Sequence, residues 1–499
     1  MKGIPMLVQR MFGRESESGL ALLLTLIALS LFSLVGLLTA LDATSELRIS
    51  DNHESHVRAE NAARAGMSHA RELLRGTVFD DLLAGPDGTH DGSAAYVSYA
   101  KSFAFRNPFP WTLARSLDLS SPQGELVGIA DDGLLNTGTF GGTAGAVLIP
   151  VTGIALAPGD AGGPAESVTS RYFVKVTDNN GEASELAGDV ADDPFHDGDG
   201  IVVVRSAGVA RTITETLGSL RQWNSVAVIE CRFRWRRLFD LDAALVVQAR
   251  EIQPGAGGIF SGNVFLFEGG AGHFGISSVD VDLMDGVSPV QQLVSAVTAD
   301  QAARIRGAGL SPSVTDVSDV FAGDTDKKSA LDPAYLRSFV REEIPRFADT
   351  VITGNQVWSG ATAPDLGSYD AGLPASAPGQ APKVTLVDGD LAVNGPIEGA
   401  GILVVTGKLS VAGGFRFYGL ILVTGTGELE ASSWNPGLAG GLYLAAFPES
   451  GGEAGWGTAR LSISGETTIV MNDAAIALAL RLLPPVQIGC REITRTLDP

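Results

Sequence analysis

Residues 20–41 (LALLLTLIALSLFSLVGLLTAL) form an apolar run with no charge and no proline. A helix rises about 1.5 Å per residue, so the run matches the roughly 30 Å hydrocarbon core of a bilayer. In lipid, only a helix satisfies its backbone within the segment. Past Leu41 the pattern changes its period rather than stopping. Between Asp42 and Arg75 there is no proline, and Gly66 is the one glycine. Leu47, Ala59, Ala62, Ala63, Gly66, Met67, Ala70, Leu73 and Leu74 recur mostly at steps of three and four, which marks one buried helical stripe. Glu46, Arg48, Glu54, Arg58, Glu60, Arg64, Arg71 and Glu72 take the other faces, and Gly76 stands where a C-cap belongs. Residues 20–75 are expected to be one helix, apolar in its first half, with a narrow small-residue face in its second.

From residue 171 the period becomes two. RYFVKVTD (171–178) alternates and ends in the turn-forming Asp178-Asn179-Asn180-Gly181. GIVVVRSAGVA (200–210) and RTITETLGSL (211–220) read as a second and a third strand, and 260–282 as more strand with glycine turns. Residues 296–309 and 332–349 turn helical. In the latter, Asp332 is an N-cap, Pro333 takes the first helical position, and Leu336, Phe339, Val340 and Ile344 share a face. Residues 359–382, rich in Gly, Ala, Pro and Ser, read as a linker. A true repeat follows. KVTLVDGDL begins at Lys383, GILVVTGKL at Gly401 and GLILVTGTG at Gly419, an offset of 18 residues each time. A short fixed period with apolar strands and glycine corners predicts stacked coils of a β-solenoid. Residues 440–447 and 460–471 look like further strands, and 473–483 like a capping helix.

The expected fold is α+β, with a long transmembrane helix packed on a β head and a solenoid after it. The expected divisions are a leader at 1–19, the two halves of the long helix at 20–41 and 42–76, the head at 77–295, a helical insert at 296–358, the linker at 359–382 and the solenoid with its cap at 383–499.

The formal net charge of −22, from 57 acids against 35 bases, argues against nucleic-acid binding, which needs a basic face. Lys2, Arg10 and Arg14 lie on the short side of the apolar run, which puts the N-terminus in the cytoplasm and the bulk of the chain across the inner membrane. Beyond that membrane the two cysteines, Cys231 and Cys490, are either a disulfide closing a long loop or two separate thiols. In the loop GDVADDPFHDGDG, Asp193, Asp197 and Asp199 are a weak Ca²⁺ candidate, with a plain solvated loop as the alternative; Phe195 and the missing Glu break the EF-hand spacing. No other cofactor is expected. GxSxG, HExxH, P-loop and CxxC motifs are absent. Asp388 and Asp390 share one side of a strand, but the next coils put Thr406 and Lys408, then Thr424 and Thr426, in their places, so no enzyme is expected.

Gly19-Leu20 with its apolar run, then ENAARAGMSHARELL (60–74), resembles the N-terminal region of type IV pilus minor pilins of the PilX type. The strand, DN turn, acidic loop, VRSAG strand and RTITETL resemble the same family, as does the GILVVTG segment near the end. The resemblance implies cleavage by a prepilin peptidase after Gly19, leaving Leu20 as the new N-terminus. It also implies other pilin subunits as partners and a head displayed on a fibre. Major pilins carry Glu at the fifth mature position. Leu24 stands there in this chain, which implies a tip or priming role in a pilus or pseudopilus. The alternative is a single-pass envelope-anchored adhesin or scaffold that never enters a fibre.

Overall fold

The structure, a computed structural model, describes residues 9–76, 79, 154–156, 166–179, 200–216, 219–255, 257–282, 286–360, 362–370, 372, 380–447 and 455–493. The chain is α+β, with one long helix, Gln9–Leu74, and a β-rich body of two sheets.

The smaller sheet, the head, is five-stranded and antiparallel. Its order is Ile154–Ala155, Glu166–Asp178, Ile201–Thr216, Ser219–Arg234 and Val486–Ile493. The strands expected at 200–210 and 211–220 are one continuous strand. No turn residue interrupts 209–212, and the chain reverses only where Thr216 faces Ser219. The fifth strand comes from the far end of the chain, so the larger sheet is an insertion within the head.

That larger sheet is a column of parallel ladders. Its broadest ladder stacks eight strands in the order Val314–Asp316, Phe274–Asp280, Ala243–Ala249, the end of Glu428–Ala445, Phe415–Val423, Ile397–Val405, Ala381–Asp388 and Thr350–Thr353. A second ladder runs Gln356–Trp358, Leu391–Val393, Leu409–Gly413, the start of Glu428–Ala445, Thr458–Ile463 and Glu251–Pro254. A third joins the starts of Ile397–Val405 and Phe415–Val423 to the middle of Glu428–Ala445, then to Thr467–Val470, Leu266–Glu268 and Ile305–Arg306. The chain therefore leaves the middle of the stack at 243 and climbs to 316. It crosses to the opposite end at 350 and winds back until Leu442 pairs with Leu245.

This pairing divides the chain differently from the expected boundaries. Residues 243–282 belong to the column and not to the head. The supposed insert and linker contribute terminal strands at 350–353, 356–358 and 367–368, with Trp358 and Leu366 buried. Parallel rungs join wherever apolar faces match, whatever their separation in sequence. The expected capping helix, Asp473–Leu480, lies along the flank across several rungs and not over an end.

Why the repeats stack is visible residue by residue. A parallel strand covered on both sides reads as an unbroken apolar run. In GILVVTG, Leu403 and Val405 enter an inner core with Phe417 and Trp434. Ile402 and Val404 enter an outer one with Phe339, Ile344 and Ile476. In the second ladder Leu391, Val393, Leu409 and Val411 point inward while Ala392 and Ser410 do not, so the sequence alternates. Gly401, Gly419 and Gly440 stack at positive φ (113°, 124° and 151°). A Cβ on Gly419 would strike the Gly401 carbonyl and crowd Ala479 of the flanking helix.

Candidate functional site

The long helix is bare over its apolar half. Leu20, Leu26, Leu29 and Phe32 are 64–78% exposed, and this is the one helix among the described residues long and apolar enough to cross a membrane. Its polar groups are satisfied internally. The hydroxyls of Thr25, Ser30, Ser33 and Thr39 donate to carbonyls three or four residues back. The Gly19–Leu20 bond, the expected processing site, lies within this continuous helix. Beyond the apolar half, Glu54 pairs with Arg58 and Glu60 with Arg64, each four residues apart with the acid first, the favourable order on a helix.

From Ala59 onward the helix is buried against the head. Ala59, Ala62, Ala63, Met67, Ala70 and Leu74 are all within a few per cent of full burial. Two glycines set the approach. A Cβ on Gly208 would strike the carbonyl of Ala59 and the amide of Ala63, and one on Gly66 would meet Ser206 and the Tyr172 ring. No bulkier pair fits at this spacing. His69 Nδ1 and the Tyr172 hydroxyl share a hydrogen bond at 2.9 Å across the contact, and burial pushes the Tyr172 hydroxyl pKa above its ordinary value. The stripe read from the sequence is thus the buried face, with Leu47 excepted, since it stays 64% exposed.

The last strand is stapled to the edge of the head sheet. Cys231 and Cys490 face each other across the Ser219–Arg234 and Val486–Ile493 strands and are joined by a disulfide. Beside it, Arg205 Nε and Arg491 Nε donate to the two oxygens of the buried Glu230, at 2.5 and 2.7 Å. Burial lowers the Arg205 pKa, and the adjacent Glu230 carboxylate works against that. Neither Glu230 nor Arg491 was singled out by sequence reasoning. Only the strand register brings them together, and no local motif marks it.

Where head meets column there is a cleft of about 450 Å³ whose lining includes Trp235, Arg236, Asp240, His273, Asp473 and Leu480. Phe79 stacks on Trp235 at 4.2 Å between centroids. Arg236 is pinned, donating to Glu343 at 2.9 Å and Tyr335 at 3.3 Å over the Phe339 ring. His273 Nε2 lies 3.2 Å from Asp473 Oδ1. Asp240 is open to solvent on one side and walled on the others. That enclosure raises its carboxyl pKa, while Lys327 and Arg237 pull it down. Among the described residues the lining has no hydroxyl or thiol beside His273.

Asp193, Asp197 and Asp199 lie outside the described residues. Among the described residues no group of three or more His, Cys, Asp or Glu side chains could hold a metal. Asp388 and Asp390 are occupied by the next coil. Asp388 accepts from the Thr406 hydroxyl and Asp390 from the Lys408 amide, both at 2.8 Å and both 18 residues apart.

No family model matches the chain, and no curated protein and no solved structure matches it.

Proposed function

We propose that the chain is a minor pilin-like subunit of the PilX type, acting in assembly or priming of a type IV pilus or related pseudopilus. One observation carries this reading. A single helix runs unbroken from a bare apolar half into a small-residue half pressed on an antiparallel sheet. Such a rod can sit in the inner membrane, leave it for a bundle of like rods, and carry its head along. Leu24 in place of a carboxylate suits an end position better than repetition along a fibre, since a buried charge is costly without its partner. In this reading the N-terminus is cytoplasmic, the body lies in the periplasm or outside the cell, and the partners are other pilin subunits and a prepilin peptidase. The stacked 18-residue rungs are read as a β-solenoid displayed at or near the tip. The Asp193, Asp197 and Asp199 loop remains a candidate Ca²⁺ ligand set.

N-terminal sequencing of the membrane-extracted protein tests the reading directly. A chain beginning at Leu20, together with loss of fibres on gene deletion, is expected. A retained leader with normal fibres and motility would overturn it. That result would favour a single-pass envelope-anchored adhesin or scaffold, a reading supported by the size of the column relative to the five-stranded head.

A further inference from the structure

The last strand of the head is held mainly by its disulfide. Val486–Ile493 is the outermost strand of the five-stranded sheet and pairs there with Ser219–Arg234 alone. Residues 487–492 are all exposed, and none of 486–492 belongs to the apolar layer that the sheet buries against the long helix. The strand's ion pairs start from exposed side chains. Arg491, 72% exposed, reaches Glu230, and Glu492 lies 3.4 Å from His56 of the helix. Pairs of this kind contribute little. Were the strand to leave, Glu230 would keep Arg205, so no buried charge would be stranded. The chain before the strand is anchored separately, with Leu483 in the outer core of the column and Pro485 buried. Pro484 and Pro485 have no amide hydrogen to extend the ladder, which places a pivot there. The disulfide itself is lopsided. Cys231 is 1% exposed, inside the layer under the helix, whereas Cys490 is exposed on the outer strand.

We propose that Cys490 is a thiol-exchange site, through which a dithiol reductant beyond the membrane unlatches the last strand from the head. A thiolate attacks the disulfide sulfur it can reach, and here that is Cys490. The reductant's first thiolate bonds to the Cys490 sulfur. The Cys231–Cys490 bond breaks, its electron pair leaves with the Cys231 sulfur, and that sulfur takes up a proton. The reductant's second thiolate then attacks its own sulfur in the mixed disulfide and releases Cys490, which is protonated in turn. Two electrons and two protons pass to the chain, and the reductant is left as a disulfide. Without the link, strand 486–493 keeps one ladder and two ion pairs, and it peels away from Pro485 onward. The four inner strands and the helix retain their apolar layer whole, since the last strand supplies none of it. The compartment rests on the reading proposed above; the exchange chemistry does not, and it is independent of whether the chain enters a fibre.

The test uses the full chain, purified in detergent and free of denaturant. Brief exposure to glutathione, followed by acid quenching and peptide mapping, is expected to place the adduct on Cys490 and leave Cys231 a free thiol. Dithiothreitol is expected to reduce the bond without unfolding the chain. Hydrogen exchange at 487–493 should then rise at least about tenfold, while 59–74 and 202–209 keep their protection. Reoxidation with glutathione disulfide should restore the original pattern. Cys490→Ser should show the reduced pattern with no reductant present. An adduct on Cys231, a bond that dithiothreitol opens only in denaturant, or a reduced chain whose last strand stays as protected as before would each overturn the proposal. So would loss of protection at 59–74 on reduction, since the head would then be unfolding and not unlatching.

Discussion

The head and the column are both sheets, yet they are held together by opposite means. In the column each rung rests on the next, its interior filled with large side chains such as Phe415, Phe417 and Trp434. The head has one small layer, Val174, Val176, Val202, Val204 and Phe233 of the sheet against Ala62, Ala63, Met67 and Ala70 of one helix, and its fifth strand arrives from the other end of the chain. The column is stabilised by many similar contacts between near neighbours. The head depends on a few distant ones, including a disulfide and the buried Arg205–Glu230 pair, which the exposed Arg491 joins from the last strand. Damage should therefore stay local in the column and be decisive in the head.

The sharpest way to break this contrast is to remove the staple. Replacing Cys231 and Cys490 together by alanine frees a loop of 259 residues, for which the chain-entropy model gives about 4–5 kcal/mol. Hydrogen exchange should show the amides of 486–493 losing protection while those of 402–405 and 420–423 keep theirs. If the rungs lost protection equally, head and column would be one cooperative unit and the contrast would fail. The converse experiment is Trp434→Ala, a fully buried ring removed from the column's interior, at about 3–5 kcal/mol. Faster exchange is expected at the rungs 415–423 and 467–470, with the helix contact at 59–74 unmoved.

How legible each region was in the sequence follows the same divide. The 18-residue repeat could be read because stacked strands repeat their chemistry, and Gly401 and Gly419 mark their corners. The small-residue helix stripe could be read because helix period and burial coincide. The path of the column could not. Nothing local in LDAALVVQA signals that Leu245 will lie beside Leu442, because both are simply apolar and fit many partners. The strand at 486–493 was hidden for the same reason, and Glu230 gains its meaning only once Arg491 is placed beside it.

A smaller perturbation tests the close approach of helix and head. Gly208→Val places atoms into the backbone of Ala59 and Ala63. Overpacking of this kind typically costs about 1–3 kcal/mol. Limited proteolysis should newly cut within 55–75, and Gly208→Ala should show a milder form of the same result. A helix that stays protected in Gly208→Val would mean that the small-residue face is not what sets its docking.

The finest distinction concerns the seam where the column closes on itself. There the buried Tyr443 hydroxyl donates to Gln248 Oε1, and Gln248 Nε2 donates to the Ala330 carbonyl at 2.8 Å. Burial raises the Tyr443 pKa far above its ordinary value near 10. Above pH 10 the unfolded chain therefore releases a proton that the folded chain retains. The unfolded state binds fewer protons, so stability is full below about pH 10 and falls as pH rises, by up to about 1.4 kcal/mol per pH unit for this one group. Tyr172 and Tyr335, also raised by burial, add to the slope in the same direction. Tyr443→Phe should lose some stability at neutral pH, because it leaves the Gln248 oxygen without its donor. It should also flatten the alkaline slope between pH 10 and 11.5, and it is this flattening, read by urea unfolding at several pH values, that separates a buried phenol at the seam from one that water reaches. An unaltered slope would mean that the two halves of the column part before the rest of the molecule unfolds.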